Sequence, residues 1–187
     1  GFFSKKILDT HYQDGSILSG HVSHKGVPGV EFSTGSLGHG LSVAAGFALA
    51  AKRRSLKFNS YALLSDGELD EGSNWEAILF APHHNLDNLT CIIDYNKLQS
   101  LTTVKETLNL EPLKDKLISF GWDIFDIDGH NHIDIQNALT AKTNKPKFII
   151  ANTIKGKGVS FMENEVVWHY RSANEEELCK GLKELEE

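Results

Sequence analysis

Two turns near the middle of the sequence combine residue types that bind metal ions and phosphates. Asp66 and Gly67 follow the apolar run 61–64, and Asn96 comes soon after the apolar run 89–93. A carboxylate and an amide carbonyl are hard oxygen ligands, which Mg²⁺ takes together with phosphate oxygens and water. Gly67 leaves room for a phosphate to approach the backbone, and the N-terminus of the following helix favours its charge. These residue types predict a diphosphate–metal site.

The two turns are expected to lie at the same edge of a parallel sheet. Each apolar run is short and rich in leucine or β-branched residues, which is typical of a buried parallel strand. A helix from Gly72 to about His84 is expected between them. In a right-handed strand–helix–strand unit both turns lie at the carboxyl edge, so Asp66 and Asn96 should meet although they are 30 positions apart. Local hydrogen bonding within each turn is the alternative for either residue alone.

The rest of the chain indicates more elements of the same fold. Further strands are expected at 122–127 and 147–154, and further helices at 37–54, at 112–120, from about 133 and at 175–187. Strands that alternate with helices predict one doubly wound α/β domain with a mainly parallel sheet and helices on both faces. Residues 99–110 show no clear periodicity and are expected to form a loop that passes the site.

Composition, charge and cysteine content argue against several classes of protein. The 187 residues are 40% hydrophobic and 24% charged, as in an ordinary globular domain. A net charge of −6 without a basic stripe argues against nucleic acid, and no apolar run approaches the length of a membrane span. Two cysteines are too few for a disulfide framework, and no signal peptide is visible, so a cytoplasmic location is expected.

Two other phosphate-binding motifs are matched only in part. Gly38 and Gly40 could begin a dinucleotide-binding motif, but Val43 replaces its third glycine and no clear buried strand precedes it. Lys155-Gly156-Lys157-Gly158 lacks the glycine spacing of a P-loop and the Ser or Thr that follows its lysine. The glycines at 38 and 40 are therefore a weak match to a dinucleotide site, whereas the turn 155–158 could still bind an anion.

Asp66-Gly67 and Asn96 together resemble the thiamine-diphosphate motif, in which an acidic residue and glycine are followed some thirty residues later by asparagine. Ser65 stands where that family usually has glycine. Three further motifs are similar to the transketolase branch and follow in its order: Gly35-Ser36-Leu37-Gly38-His39-Gly40, Asp128-Gly129-His130 and Lys155-Gly156-Lys157-Gly158. The chain therefore resembles the amino-terminal, diphosphate-binding part of a transketolase-like enzyme of the split-subunit kind.

This resemblance implies thiamine diphosphate as the cofactor, bound with Mg²⁺ or Ca²⁺. It implies Asp66, Asn96 and the backbone carbonyl of Leu98 as metal ligands. The cofactor contacts that it implies are Gly35, Ser36, Leu37, Gly67, Glu68, Asn96 and His169. His21 and His169 match histidines that face the substrate, where they would form hydrogen bonds and handle protons. A surface or structural histidine is the alternative for either one taken alone.

The implied reaction transfers a two-carbon ketol unit from a ketose, or ketose phosphate, to an aldose or its phosphate. In this family a glutamate of a second, pyrimidine-binding domain activates the cofactor, and this sequence ends before such a domain. We therefore expect a separate carboxyl-terminal subunit that supplies the glutamate, in an α2β2 heterotetramer. Because the family has sequence upstream and the chain starts at Gly1, we also expect that its native amino-terminal segment is missing.

Two alternative functions remain open. One is a subunit of a 2-oxo-acid decarboxylase or dehydrogenase, which also uses thiamine diphosphate, although Gly20-His21 and the turn 155–158 favour transketolase. The other is a non-catalytic nucleotide-binding module, against which the intact Asp66, Gly67 and Asn96 argue. Titration with the cofactor would separate the second case from the first.

Overall fold

The computed structural model describes residues 1–186, and its centre is a four-stranded parallel sheet. The strands are β1 (Ser60–Ser65), β2 (Leu89–Tyr95), β3 (Asp123–Asp128) and β4 (Lys147–Asn152). They lie in the order β1-β2-β4-β3, and every neighbouring pair is parallel. The expected parallel α/β fold is therefore confirmed.

Six α-helices connect and flank the strands in the part of the chain that the structure describes. They are α1 (Gly40–Arg53), α2 (Gly72–His83), α3 (Val104–Thr107), α4 (Leu113–Phe120), α5 (His132–Thr140) and α6 (Glu175–Glu186). Short 3-10 helices occur at Lys5–Thr10, Gly67–Asp70 and Val166–His169. The last helix had been expected to reach 187, but Glu187 lies outside the described residues.

The main core lies between one face of the sheet and helices α1, α2 and α4. Ala62 and Leu64 of β1 point into it, as do Ile93 of β2 and Phe148 of β4. The alternate side chains of β1 face the other way, and Tyr61 and Leu63 stay 54% and 72% exposed. On this second face the structure covers β1 poorly, whereas α5 contacts β3.

Several predicted boundaries shift because of tertiary contacts. Helix α1 begins at Gly40 and not at position 37, since Gly35 and Gly38 adopt left-handed φ angles of 127° and 86° and keep the chain in a turn. The segment 99–110 contains the short helix α3, which begins after a capping bond from Glu106 N to Thr103 Oγ1. No helix within residues 1–186 has the length and apolar character required to span a membrane.

Candidate functional site

The turns that follow β1 and β2 meet at the carboxyl edge of the sheet. Ser65 pairs with Asp94 in the strand register, so the two chain segments leave the sheet at the same level. The backbone N–H of Lys97 then donates a hydrogen bond of 2.7 Å to Oδ2 of Asp66. The turn that contains Asn96 is thereby held against Asp66, as the sequence predicted.

Asp66 is a buried carboxylate in an unfavourable electrostatic environment. Its side chain is only 2% exposed, and Oδ1 accepts the N–H of Gly67 at 2.8 Å. Burial raises the pKa of Asp66 to about 6, because the hydrogen bonds from Lys97 and Gly67 only partly oppose it and Asp94 and Asp70 raise it further. A divalent cation bound here would offset both the burial and the repulsion between carboxylates.

The turn after β2 presents two oxygen atoms of the predicted ligand set. Oδ1 of Asn96 accepts the N–H of Leu98 at 2.9 Å, and this bond orients the amide. Lys97 adopts a left-handed φ of 67°, which reverses the chain between them. Leu98 then forms an isolated antiparallel bridge with Thr103.

The bridge leaves the backbone carbonyl of Leu98 available. The hydrogen bonds of this short ladder run from Gln99 N to Thr102 O and from Val104 N to Lys97 O. Leu98 and Thr103 are therefore a non-hydrogen-bonded pair, so the ladder does not use the Leu98 carbonyl. This geometry fits its predicted role as a third metal ligand.

The donor set fits a hard cation bound together with phosphate. The Asp66 carboxylate, the Asn96 amide oxygen and the Leu98 carbonyl are the oxygen donors that Mg²⁺ and Ca²⁺ prefer. Residues 1–186 contain no group of three or more His, Cys, Asp or Glu side chains placed to hold a metal ion. One carboxylate and two neutral oxygens need further oxygen ligands, which a diphosphate and water would supply.

The turn that precedes α1 is attached to the same edge. Gly38 N donates to Oε1 of Glu68 at 2.9 Å, and Gly38 O accepts from Oγ of Ser73 at 2.7 Å. A Cβ atom at Gly38 would lie 2.6 Å from Ser73 Oγ and 2.7 Å from Glu71 Cβ, so a side chain does not fit there. These hydrogen bonds hold the turn 35–37, whose residues are predicted to contact the cofactor, beside the Asp66 turn. They also give the Glu68 carboxylate a structural partner.

His21 lies against that turn. A Cβ atom at Gly35 would be only 2.7 Å from Cγ of His21, so the imidazole packs directly on the Gly35 backbone. The neighbouring Val22 carbonyl accepts the N–H of Thr34 at 3.0 Å and ties the two segments together. The His21 side chain is exposed. It is thus free to meet a ligand at this edge.

His169 is not brought into contact with these residues. It ends the 3-10 helix Val166–His169, is exposed, and its ring centroid lies 4.6 Å from that of Tyr170. No hydrogen bond within residues 1–186 links His169 to Asp66, Asn96 or the turn 35–37. Its predicted contact with cofactor and substrate stays a prediction.

The glycine-containing turn after β4 is filled by a carboxylate of the same chain. Oε1 of Glu163 accepts the N–H of Gly158 at 3.1 Å and lies 3.5 Å from Nζ of Lys157. The Gly158 N–H and, to a smaller extent, the Lys157 charge hold the pKa of Glu163 below its usual value. The Gly158 N–H and the Lys157 ammonium therefore already have a partner within the chain.

Comparison with known proteins identifies the family. Residues 4–185 match the family described as transketolase, thiamine diphosphate binding domain. The chain belongs to this transketolase family. The resemblance predicted from the motifs is therefore confirmed over nearly the whole chain.

Relatives of this transketolase chain include components of two sugar-specific enzymes. It is 42% identical over 190 residues to one subunit of the apulose-4-phosphate transketolase of Phocaeicola vulgatus, with all of this chain and 67% of the relative covered. It is 41% identical over 189 residues to 6-deoxy-6-sulfo-D-fructose transketolase subunit SqwG of a Clostridium species, with all of this chain and 69% of the relative covered. A crystal structure of transketolase from Campylobacter jejuni has a TM-score of 0.91 at 33% identity, covering 97% of this chain and 30% of that one.

Three contacts of the candidate site were not predicted from the sequence. The backbone N–H of Lys97 holds the turn after β2 against Asp66, Ser73 holds the turn before α1, and Gln99 packs beside Gly67. Each contact joins segments that are far apart in the sequence or depends on an unusual φ angle. The only local signal was the cluster of polar residues that follows β2.

Proposed function

We propose that the chain is the diphosphate-binding subunit of a split transketolase. It transfers a two-carbon ketol unit from a ketose, or ketose phosphate, to an aldose or aldose phosphate. The observation that carries the proposal is the coverage of the entire chain by relatives named as transketolase subunits. The junction between Asp66 and the Asn96–Leu98 turn supports the same function, because its oxygen donors suit a metal-bound diphosphate.

Asp66, Asn96 and the Leu98 carbonyl hold Mg²⁺, or Ca²⁺, in this proposal. The turn 35–37 and the Gly67–Glu68 backbone line the cofactor. When bound, thiamine diphosphate supplies the nucleophilic carbon and the electron sink needed to break and form a carbon–carbon bond. The chain itself binds the diphosphate end of the cofactor. Its preformed hydrogen bonds fix the position of that end.

His21 and His169 are the proposed substrate-facing groups. An imidazole changes its charge near neutral pH and both donates and accepts hydrogen bonds, so it suits proton transfer at sugar hydroxyls. The position of His21 on Gly35 supports its part in the proposal. The proposed role of His169 rests on the family resemblance alone.

A separate partner polypeptide completes the proposed site. Of the carboxylates beside the diphosphate end, Asp66 is assigned to the metal and Glu68 holds Gly38. The partner therefore supplies the glutamate that activates the cofactor, in an α2β2 assembly. Both cysteines are free thiols, and Cys91 is buried, which supports a reducing compartment such as the cytoplasm.

The test is an assay of ketol transfer from ketose phosphates to aldose phosphates. The purified chain is measured alone and after mixing with the transketolase-like polypeptide encoded beside it. We expect turnover only in the mixture. Full turnover by the chain alone would contradict the shared site, and decarboxylation of 2-oxo acids by the mixture would favour the related decarboxylase or dehydrogenase.

A further inference from the structure

A buried amide group lies beside Gly67 without a hydrogen-bond acceptor. Gln99 is only 9% exposed, and its Nε2 atom is buried with no partner among residues 1–186. A Cβ atom built on Gly67 would lie 3.5, 3.6 and 3.9 Å from Cγ, Cδ and Nε2 of Gln99. Because buried N–H groups almost always have an acceptor, this amide indicates that an acceptor is missing at this place.

The backbone of Gln99 belongs to the turn that contacts Asp66. Its backbone N–H donates to Thr102 O at 2.8 Å, in the ladder that positions the Leu98 carbonyl. The oxygens of the Asp66 carboxylate already accept the N–H groups of Gly67 and Lys97. The Lys97 ammonium, the nearest cation in the sequence, lies 5.3 Å from the centre of the Tyr95 ring. The Gln99 amide is thus a buried donor beside Gly67 that has no acceptor within residues 1–186.

We propose that Gln99 is a further binding residue, whose Nε2 donates a hydrogen bond to a phosphate oxygen of the ligand bound at Asp66 and Gly67. This inference rests on the proposed function, since it takes a diphosphate as the ligand. Phosphate oxygens accept hydrogen bonds, so they match an amide that lacks an acceptor. Gly67 has no side chain, and the Gln99 side chain lies directly beside its backbone.

A packing role for Gln99 predicts the opposite effect on stability. A side chain that contributes through packing lowers the melting temperature when it is replaced. An unpaired buried donor costs free energy in the ligand-free chain, so an apolar residue of similar shape is neutral or stabilising there. The two roles are therefore separated by the sign of the change in Tm.

The experiment uses the chain of residues 1–187 and two probes, inorganic pyrophosphate and thiamine diphosphate, each with Mg²⁺. Isothermal titration of Gln99→Met, which keeps the length of the side chain, should show about tenfold weaker binding of both probes. Gln99→Glu should weaken binding further, because its negative charge opposes the phosphate. The Tm of the ligand-free Gln99→Met chain should be unchanged or higher. Gln136→Met, on the exposed side of α5, is the matched control and should bind both probes normally.

Two results would overturn the inference. One is normal affinity of Gln99→Met for pyrophosphate, and the other is weaker binding together with a lower Tm of the ligand-free chain. Asp66→Ala distinguishes failure of this inference from failure of the proposed function. If the wild-type chain binds pyrophosphate with Mg²⁺ and Asp66→Ala does not, the diphosphate site stands and only Gln99 is rejected. A wild-type chain that binds neither probe would reject both.

Discussion

Two glycine-containing turns at the carboxyl edge of the sheet differ in what their polar groups already contact. After β1, Asp66 is a buried carboxylate with a raised pKa, and the Gln99 amide beside Gly67 has no acceptor within residues 1–186. After β4, the Gly158 N–H and the Lys157 ammonium both contact Glu163. The first turn lacks partners that a metal ion and a phosphate would supply, whereas the second turn has its partner within the chain.

This difference shows how a ligand site is recognised without its ligand. A glycine and a charged residue occur in both turns, and the sequence favoured Asp66-Gly67 because Asn96 was expected to lie beside it. Groups that are buried and unpaired lower the stability of the ligand-free chain, and they are retained where binding needs them. This contrast supports the proposed ligand site at the turn after β1, and it identifies Glu163 as the internal partner of Gly158 and Lys157 in the turn after β4.

Replacing Asp66 should change ligand binding more than any other substitution that tests the difference between the two turns. Asp66→Ala removes the single buried carboxylate of the proposed ligand set, so Mg²⁺-dependent binding of thiamine diphosphate should fall by about a hundredfold or more. The fold should persist, because the side chain lies outside the apolar core, although the N–H groups of Gly67 and Lys97 lose their acceptor. Isothermal titration and circular dichroism measure both.

Asp87→Ala is the control for that variant, since Asp87 lies at the opposite edge of the sheet and forms only an exposed ion pair with Lys52. Its thiamine-diphosphate affinity should be normal. Unchanged affinity of Asp66→Ala would remove the basis for distinguishing the two turns.

The raised pKa of Asp66 predicts a pH dependence of stability. A carboxyl whose pKa is about 6 in the folded chain and 3.8 ordinarily binds its proton more tightly when folded. This group therefore favours folding most below pH 4, and about 3 kcal/mol of stability is lost as the pH rises from about 4 to above 6. Carboxyl ¹³C NMR of the ligand-free chain should give a titration midpoint near 6. A midpoint near the ordinary value of 3.8 would show that Asp66 is well solvated and would weaken the contrast between the turns.

Local sequence signals were sufficient for the sheet and for part of the site. The apolar runs and the polar residues after them predicted β1, β2 and the meeting of Asp66 with the Asn96 turn, because parallel strands bring their carboxyl ends together. Lys97 and Gln99 were missed. Their contributions depend on a left-handed φ angle and on burial against Gly67, and neither is encoded by residue type or period.

Contacts between distant segments also decide features of the glycine-containing turns that the sequence did not predict. The start of α1 was placed three residues early, because the turn at Gly38 is held by contacts with Ser73 and Glu71 from another segment. Nor did the sequence indicate that Glu163 would occupy the turn 155–158. Contacts between distant segments decide both cases, and a single sequence does not specify them.

His169 provides a smaller test, because it follows the β4 region and is not in contact with the Asp66 turn. In the complex with the partner polypeptide, His169→Ala should lower kcat/KM about tenfold, a loss of about 1.4 kcal/mol of transition-state stabilisation. Steady-state kinetics with a ketose phosphate donor measure it. His83→Ala, on the exposed end of α2, should be normal. Normal kinetics of His169→Ala would show that His169 has no part in the reaction and that the functional residues lie in the turns after β1 and β2.

The smallest effect is expected from Glu163→Gln, which directly tests whether the second turn is complete. The amide oxygen of Gln still accepts the Gly158 N–H, but the charge that faces Lys157 is lost. Exposed ion pairs contribute little to stability, so Tm should fall only slightly. If the turn is structural, the affinity for thiamine diphosphate with Mg²⁺, measured by titration, should change by less than about twofold.

A clear gain in pyrophosphate affinity would instead show that Glu163 competes with a phosphate for Gly158 and Lys157. The two turns would then differ in which anion occupies them and not in whether they bind one.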